Sequence, residues 1–386
     1  MTTLEDPVPG GRPGEAALAA RQAEELATDG VHGVVMSWVD TAGINRIKTV
    51  PVARLDRAMQ WGVGMSPVFD TFLADDSIVS TDVLGGPDGD LRLFPDLAHL
   101  VRLAAQPGWA WAPVDRMTQD GDVHPACTRS LLRRLVREAA AAGVTFRASV
   151  EIEFALGRGD VPDGGFEPAC LGPAYGMTRL VEQSDLCAEI LAALAAQGVD
   201  VDQIHPEYAA GQYEVSVGAL DPVGAADRSV LVRQTIRAVA QRHGLRVSFA
   251  PSVVAGGVGN GGHIHLSMWQ DGVNTHAGGS GLHGMTERAE WFVAGLLDTL
   301  PALAAVTTPS PSSYLRLQPS HWAGVYAVWG HETREAAIRL VSGTAGNREV
   351  AGNLEVKCAD LSANPYLLLA SLIIAGLDGV ARKQPL

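Results

Sequence analysis

VEIEFAL, Val150 to Leu156, sets apolar Val150, Ile152 and Phe154 in alternation with Glu151 and Glu153. A period of two is that of a strand, whose successive side chains point to opposite faces. One face can be buried. The other carries two carboxylates that repel each other unless something cationic lies between them. A bound metal ion removes that cost, and an edge strand with a solvated acidic face also satisfies the pattern.

Two further runs extend the acidic theme. In HPEYAAGQYEVSV, residues 205–217, Glu207 and Glu214 flank an Ala-Gly bend, and Glu214 begins to alternate with Val215. His263 and His265 again occupy alternate strand positions, entered through the loop GGVGNGG, residues 256–262, in which glycines permit close approach of backbone to a ligand. Glu355 sits on a short alternating stretch, NLEVKCAD, ahead of the last helix. Glu151, Glu153, Glu207, Glu214, His263 and Glu355 make a carboxylate-dominated set without thiolate, a composition that suits Mg²⁺ or Mn²⁺ better than structural zinc. The four cysteines contain no CxxC pair, so neither a zinc knuckle nor a disulfide framework is indicated.

Between the histidine pair and Glu355 lie PSSYLRL, with Arg316, and ETREAAIRL, with Arg334 and Arg339. Forked guanidiniums match carboxylate and phosphate. Divalent ions together with several arginines are the equipment of phosphoryl transfer, although ordinary salt-bridging arginines read equally from the residues alone.

The organisation is α+β in two parts. Residues 1–14, rich in Pro and Gly, are expected to be disordered, and Glu15 to Ala27 repeats apolar positions at helical spacing. Gly33 to Val39 and Ile44 to Val52 read as a hairpin around Thr41-Ala42-Gly43. A boundary is expected just before Pro125, giving a small N-terminal domain over 15–124 and a larger one over 125–386. In the latter, a helix from Thr128 to Gly143 precedes a strand over Thr145 to Leu156, a helix near Glu182 to Gln197, a strand at Gln212 to Ser216 and a helix at Ala226 to His243. Strands at Arg246 to Ala250 and His263 to Trp269, a helix from Met285 to Leu300 and a final apolar helix from Pro365 complete it.

The net charge of −14 and the absence of a basic run exclude a nucleic-acid surface. With 47% hydrophobic and 19% charged residues the chain is globular. No leader is apparent and no stretch approaches bilayer length, so no membrane partner and a cytoplasmic location are expected.

VEIEF, EYAAGQYE, GNGGHIHLS, SSYLRL, TREAAIR and LEVKCADLSANPYL, in that order, resemble the glutamine synthetase family, and DTAGINRIK resembles its D-x-x-G-x-x-R-x-K hairpin. The resemblance implies a β-grasp-like N-terminal domain that feeds a neighbouring subunit's site. It also implies a catalytic domain around a curved antiparallel sheet with flanking helices, and a homo-oligomeric hexameric ring, single or double. It implies ATP and two or more Mg²⁺ or Mn²⁺ ions, one held by Glu153, Glu207 and Glu214 and another by Glu151, His263 and Glu355. His265, Ser267, Arg339 and Lys357 would serve the nucleotide, Gly259, Gly261 and Arg316 the glutamate, and Arg334 and Arg339 the transferred phosphate. The reaction implied is activation of the γ-carboxylate of glutamate as an acyl phosphate and its capture by an amine, under a flap over Gln318 to Val325.

Departures narrow the reading. Trp322 stands where ammonia-using members carry an acidic flap residue; an indole cannot accept a proton but can pack on an alkyl chain or face a cation, which suits an organic amine. Asp70, in Phe69-Asp70-Thr71-Phe72, corresponds to an early aspartate in altered surroundings. Asn353 and Lys357 replace arginines usual around Glu355. The chain ends at KQPL, where relatives continue with a further helical segment. The leading expectation is a γ-glutamyl-amine ligase; a true glutamine synthetase using ammonia, an inactive sensor or scaffold, and a metal-dependent amide hydrolase are the alternatives.

Overall fold

The computed structural model describes residues 13–86, 88–159 and 165–386. The expected disordered segment falls mostly outside them, and Pro13 and Gly14 already belong to the first helix. The chain divides into two compact units, Met1–Arg134 and Leu135–Leu386.

The first unit contains α1 (Pro13–Thr28), β1 (Gly33–Val39), β2 (Asn45–Pro51), α2 (Leu55–Trp61), β3 (Val63–Met65), β4 (Leu91–Pro95), β5 (Val101–Arg102) and β6 (Trp109–Met117); the division falls within α3 (Thr128–Ala141). Its sheet runs β2-β1-β6-β4-β3 with β5 also on β6, and only β1 and β6 are parallel. The hairpin of β1 and β2 is closed by Asp40, whose two oxygens accept from the Ile44 amide and Arg46 Nε, each at 2.8 Å, while Gly43 takes the left-handed φ of 78° that the turn needs. Ala19, Ala23 and Leu26 form one face of α1 and pack with Val34, Leu55, Met59 and Ala110.

The second unit contains β7 (Val144–Val150), β8 (Ile152–Arg158), α4 (Met177–Glu182), α5 (Ser184–Ala196), β9 (Val201–Pro206), β10 (Gln212–Val217), α6 (Pro222–Arg242) and β11 (Leu245–Ser248). It continues with β12 (Ile264–Gln270), β13 (Val273–Asn274), α7 (Glu287–Thr307), α8 (Pro311–Arg316), β14 (Tyr326–His331), β15 (Ala336–Val341), α9 (Arg348–Ala351), β16 (Asn353–Val356) and α10 (Pro365–Arg382). One sheet is ordered β11-β8-β10-β9. The other is β13-β12-β16-β15-β14 with β7 on β12, and only β14 and β15 pair in parallel.

The strand expected over Thr145 to Leu156 is therefore two strands in two sheets. Val150 lies opposite Ile264 in one, and Ile152 lies opposite Val215 in the other. Glu151 is the joint, its amide donating to the His263 carbonyl at 3.0 Å. The helix expected near Glu182 to Gln197 is α5, Ser184–Ala196, preceded by the short α4, which ends at Glu182. Strands β9, β14 and β15 lacked a readable period because β9 and β14 expose both faces and β15 is buried on nearly all.

Contrary to the sequence reading, α7 and α10 are long and apolar enough to cross a membrane by length and composition. They pack against one another at Gly295, Gly376 and Gly379, where an added Cβ would overlap the facing helix, as core helices do.

Candidate active site

Glu153 on β8 lies opposite Glu214 on β10, and Glu355 on β16 lies opposite both His265 on β12 and Arg339 on β15. Glu153, Glu214, Glu355 and Arg339 line a cavity of about 520 Å³ within the second unit. It is lined by Glu151, Glu153, Glu207, Glu214, His263 and Glu355, the six proposed metal ligands, and also by Gly259, Gly261, Arg316, Trp322, Arg334, Arg339 and Lys357.

His263 Nδ1 lies 2.8 Å from Glu151, 3.6 Å from Glu153 and 3.5 Å from Glu355. Glu151 also meets His265 Nε2 at 3.0 Å. Glu355 also accepts from Lys357 Nζ at 3.0 Å on the oxygen nearest His263, and from Arg339 Nη1 at 2.9 Å on the other. His205 stands 3.5 Å from Glu207 and 3.5 Å from Glu214, and the Tyr175 hydroxyl donates to Glu207 at 2.8 Å. Donor atoms lie within 4.8 Å of one another in two groups, Glu151 with His265 and Glu355, and His205 with Glu207 and Glu214. Glu153 and His263 lie between them, so geometry adds two imidazoles to the expected ligand sets.

Behind the carboxylates, the Gln212 side-chain Nε2 donates to Glu153 at 3.1 Å, to the Gly259 carbonyl at 2.9 Å and to Asn260 Oδ1 at 3.1 Å, and the Gly261 main-chain amide donates to Glu153 at 2.7 Å. The glycine loop runs this close because it has no side chains: a Cβ on Gly261 would overlap the His263 ring and one on Gly259 the Pro251 carbonyl.

The electrostatics divide the carboxylates. Burial works to raise Glu151, but hydrogen bonds from His263 and His265 outweigh it and hold its carboxyl well below the usual range. Glu355, buried but beside His263, Lys357 and His265, settles at about 2. Glu153 is pushed up by burial and by Glu214 against the pull of His263. Glu207 rises to about 7 through burial and repulsion from Glu153 and Glu214. His205 rises to about 9, chiefly through its hydrogen bond to Glu214. His265 also rises to about 9, the effect of Glu151 overcoming burial. The Glu153, Glu207 and Glu214 side is thus short of positive charge.

Arg316 is buried, with its Nη2 donating to the Lys357 carbonyl at 2.7 Å. Arg339 is shared between Glu355 and Glu332, both at 2.9 Å. Arg334 is exposed, with no hydrogen-bond partner among the described residues. Trp322 lies in an irregular segment where Ser320, Trp322 and Gly324 all have positive φ; its ring centroid is 5.1 Å from that of Tyr208, and its amide donates to Glu335 at 3.2 Å.

Three expected residues lie elsewhere. His265 borders the carboxylates but is not part of the cavity lining, and its second ring nitrogen is 2.9 Å from Asn353. Ser267 is buried and accepts from Trp269 Nε1 at 2.9 Å. Asp70 belongs to the first unit, where its carboxylate is taken up by Arg116 and by His124 at 2.6 Å.

Tyr175, Gln203, His205, Tyr208, Gln212 and His321 also line the cavity and were not anticipated. His205 and Gln212 share the two-residue spacing of Glu207 and Glu214, a signal that was available. Tyr175 and Tyr208 lie on irregular segments and carried none.

Comparison with known proteins decides the family. The profile described as "Glutamine synthetase, catalytic domain" matches residues 125–386, and that described as "Glutamine synthetase N-terminal domain" matches residues 18–124. The chain belongs to the glutamine synthetase family. It is 69% identical over 382 residues to "Gamma-glutamylpolyamine synthetase GlnA3" of Streptomyces coelicolor, covering 99% of this chain and 82% of that protein. It is 32% identical over 360 residues to "Glutamine synthetase" of Pyrococcus horikoshii, covering 91% and 74%. A solved structure described as "Crystal structure of novel glutamine synthase homolog" superposes with a TM-score of 0.84 at 34% identity, covering 92% of this chain and 84% of that one. Another, "GmaS/ADP complex-Conformation 1", gives 0.80 at 30%, covering 94% and 81%. The glutamine synthetase fold expected from the ordered motifs, with its N-terminal and catalytic parts, is therefore the fold of this chain.

Proposed function

We propose that this protein is an ATP-dependent ligase that joins the side-chain carboxyl of glutamate to an organic amine, a polyamine in particular, through a γ-glutamyl phosphate. The observation that carries this reading is a single cavity lined by two kinds of charge, carboxylates on β8, β10 and β16 and the guanidiniums of Arg316, Arg334 and Arg339, with the aromatic rings of Tyr208 and Trp322. The relative named for γ-glutamylpolyamine synthesis supports the amine over ammonia.

Divalent cations fit the donor set, which is oxygen-rich and contains imidazole but no thiolate, and in which burial and mutual repulsion push Glu153 and Glu207 upward, a cost that a bound cation would relieve. Glu151, His263 and Glu355 would hold one ion, Glu153, Glu207 and Glu214 another, with His205 and His265 beside them. Bound there, such ions neutralise charge on the phosphates of ATP. Arg316, fixed by main-chain carbonyls, and Gly259 are placed to bind glutamate. Arg334 is uncommitted and can meet the transferred phosphoryl group, and Arg339 sits beside it. Lys357 orients Glu355. The segment Gln318 to Val325 would exclude water from the acyl phosphate, and Trp322 with Tyr208 would accept the alkylammonium chain.

His265, Ser267 and Asp70 are retained as proposed nucleotide and catalytic contacts of the family, through movements or partners beyond a single chain. We likewise propose a division at residue 124, assembly of subunits into a ring, and a cytoplasmic location, which the four free, buried cysteines suit.

The test is phosphate release from ATP with glutamate and a panel of amines. Turnover with polyamines at concentrations where ammonium gives none is expected; a preference for ammonium at low concentration would reject the organic amine. Activity without ATP would reject the ligase.

A further inference from the structure

Arg179, on the short helix α4, is 3% exposed and takes no part in the chemistry described above. Among the described residues no carboxylate pairs with it. Instead every side-chain bond goes to a main-chain carbonyl. Nη1 donates to Glu207 and Ala209, each at 2.7 Å, and more weakly to Tyr208 at 3.4 Å. Nη2 and Nε donate to Gly172 at 2.7 and 3.2 Å. The Arg179 carbonyl in turn accepts from the Tyr213 hydroxyl at 2.6 Å, which fixes the base of the side chain from β10.

A buried guanidinium loses hydration, and without an ion pair it is compensated by carbonyl dipoles and by geometry. Here the geometry spans two segments with no regular structure. The loop of residues 207–211 carries Glu207 and Tyr208, and the segment of residues 171–176 carries Tyr175. The two segments touch at the cavity through the Tyr175 hydroxyl on the Glu207 carboxylate and the Tyr175 amide on the Glu207 carbonyl at 3.4 Å. The planar fork ties their backbones from behind, which a single-point ammonium cannot do.

We propose that Arg179 is a positioning residue for amine selection: by clamping the backbone of residues 207–209 to Gly172 it fixes both the Glu207 carboxylate and the Tyr208 ring that faces Trp322. The inference rests on the amine-ligase reading of the site. Glutamate contacts come from the glycine loop and α8, which Arg179 does not touch.

The experiment compares wild type with Arg179→Gln, Arg179→Lys and Tyr213→Phe. KM is measured for amine and for glutamate, with kcat, thermal midpoint and Mn²⁺ titration followed by electron paramagnetic resonance. Arg179→Gln is expected to raise amine KM by about tenfold or more and to weaken Mn²⁺ binding by about 10- to 100-fold, while glutamate KM stays within about twofold. Arg179→Lys should fall between it and wild type. Tyr213→Phe, which removes the hydroxyl that anchors the Arg179 carbonyl and also meets the Cys170 thiol at 3.5 Å, should shift the ratio of the two KM values in the same direction, and it keeps the test alive if Arg179→Gln does not fold. Lowered thermal midpoints with an unchanged KM ratio and unchanged Mn²⁺ binding in every variant would overturn the proposal, leaving Arg179 a structural residue. A wild-type protein that turns over no amine would overturn the activity reading instead, and the Mn²⁺ titration would still decide on Arg179.

Discussion

In the first unit, Asp96 and Asp115 meet Arg129 and Arg133: Arg133 reaches Asp115 at 2.6 Å, Arg129 reaches Asp96 at 2.7 Å, and Ser130 adds a hydroxyl to Asp115 at 3.1 Å. In the second, Glu153, Glu207 and Glu214 crowd together, with His205 at 3.5 Å from Glu207 and Glu214 and His263 at 3.6 Å from Glu153. Burial works to raise both groups of acids, yet His99 and the arginines hold Asp96 far below the carboxylate range and the arginines lower Asp115, whereas Glu207 rises to about 7 and Glu153 is raised too. The chain evidently can match buried acids with guanidiniums. It does so where the acids hold the fold together and leaves the match incomplete where, under the proposed function, a cation and a substrate would enter.

That contrast has a test at each end. Glu153→Gln should reduce turnover by more than about 100-fold, because it removes a central oxygen from the cavity, while the metal-free protein keeps or gains thermal stability through relief of repulsion with Glu214. Turnover assays and calorimetry in the presence of a chelator check both halves. Asp115→Asn should do the reverse: lose about 3–5 kcal/mol of stability in urea titration by leaving two guanidiniums undercompensated, with kcat per folded molecule unchanged. If Glu153→Gln destabilises the chain as much as Asp115→Asn does, the two clusters are of one kind and the contrast fails.

Acidity separates them further. Glu207 has a folded pKa above its unfolded value of about 4.3, so its folded form prefers the proton, and metal-free stability falls as pH rises from about 4.3 to about 7. Asp96 and Asp115 have folded values below the unfolded value of about 3.9. Their contribution is complete above that pH and is lost as pH falls through the lower folded values. His205 adds stability below about 6.5 that disappears as pH rises through about 9. Denaturation followed across pH with chelator present should therefore show decline on both sides, and Glu207→Gln should flatten only the stretch between about 4.3 and 7. A decline there that survives Glu207→Gln would place its origin elsewhere.

Much of this site could be read from residues in order, because Glu153, Glu214, His263 and Glu355 lie on or beside strands where a two-residue period exposes a polar face among apolar ones. What could not be read depended on the third dimension. Nothing in VEIEFAL marks Glu151 as the joint between sheets; that follows from Val150 and Ile152 finding different neighbours, Ile264 and Val215. Arg179 was invisible because its partners are main-chain carbonyls, which every residue possesses. The commitment of Asp70 to Arg116 and His124 was hidden for the opposite reason, since charged residues far apart in sequence announce no pairing. The β-grasp-like hairpin, by contrast, was legible in Asp40, Gly43 and Arg46, whose spacing is that of the turn they close.

The aromatic edge offers the mildest probe. Trp322 is 42% exposed and held with positive φ, a conformation that costs energy for a bulky residue, and its ring lies beside Tyr208 on the lining of the cavity that the acids share. An alkylammonium ion entering there would meet carboxylates on one side and two π faces on the other, and a cation over an aromatic ring is worth about 0.5–2 kcal/mol. Trp322→Ala should therefore raise amine KM by about 2- to 30-fold, with glutamate KM close to wild type, since Arg316 and the glycine loop are untouched. Trp322→Phe should recover part of the loss, because it keeps a face but a weaker one. An equal rise in both KM values would mean that the indole closes the flap over the whole site; selectivity for the amine would then rest on the acids alone, and the undercompensated cluster would itself be the cation receptor.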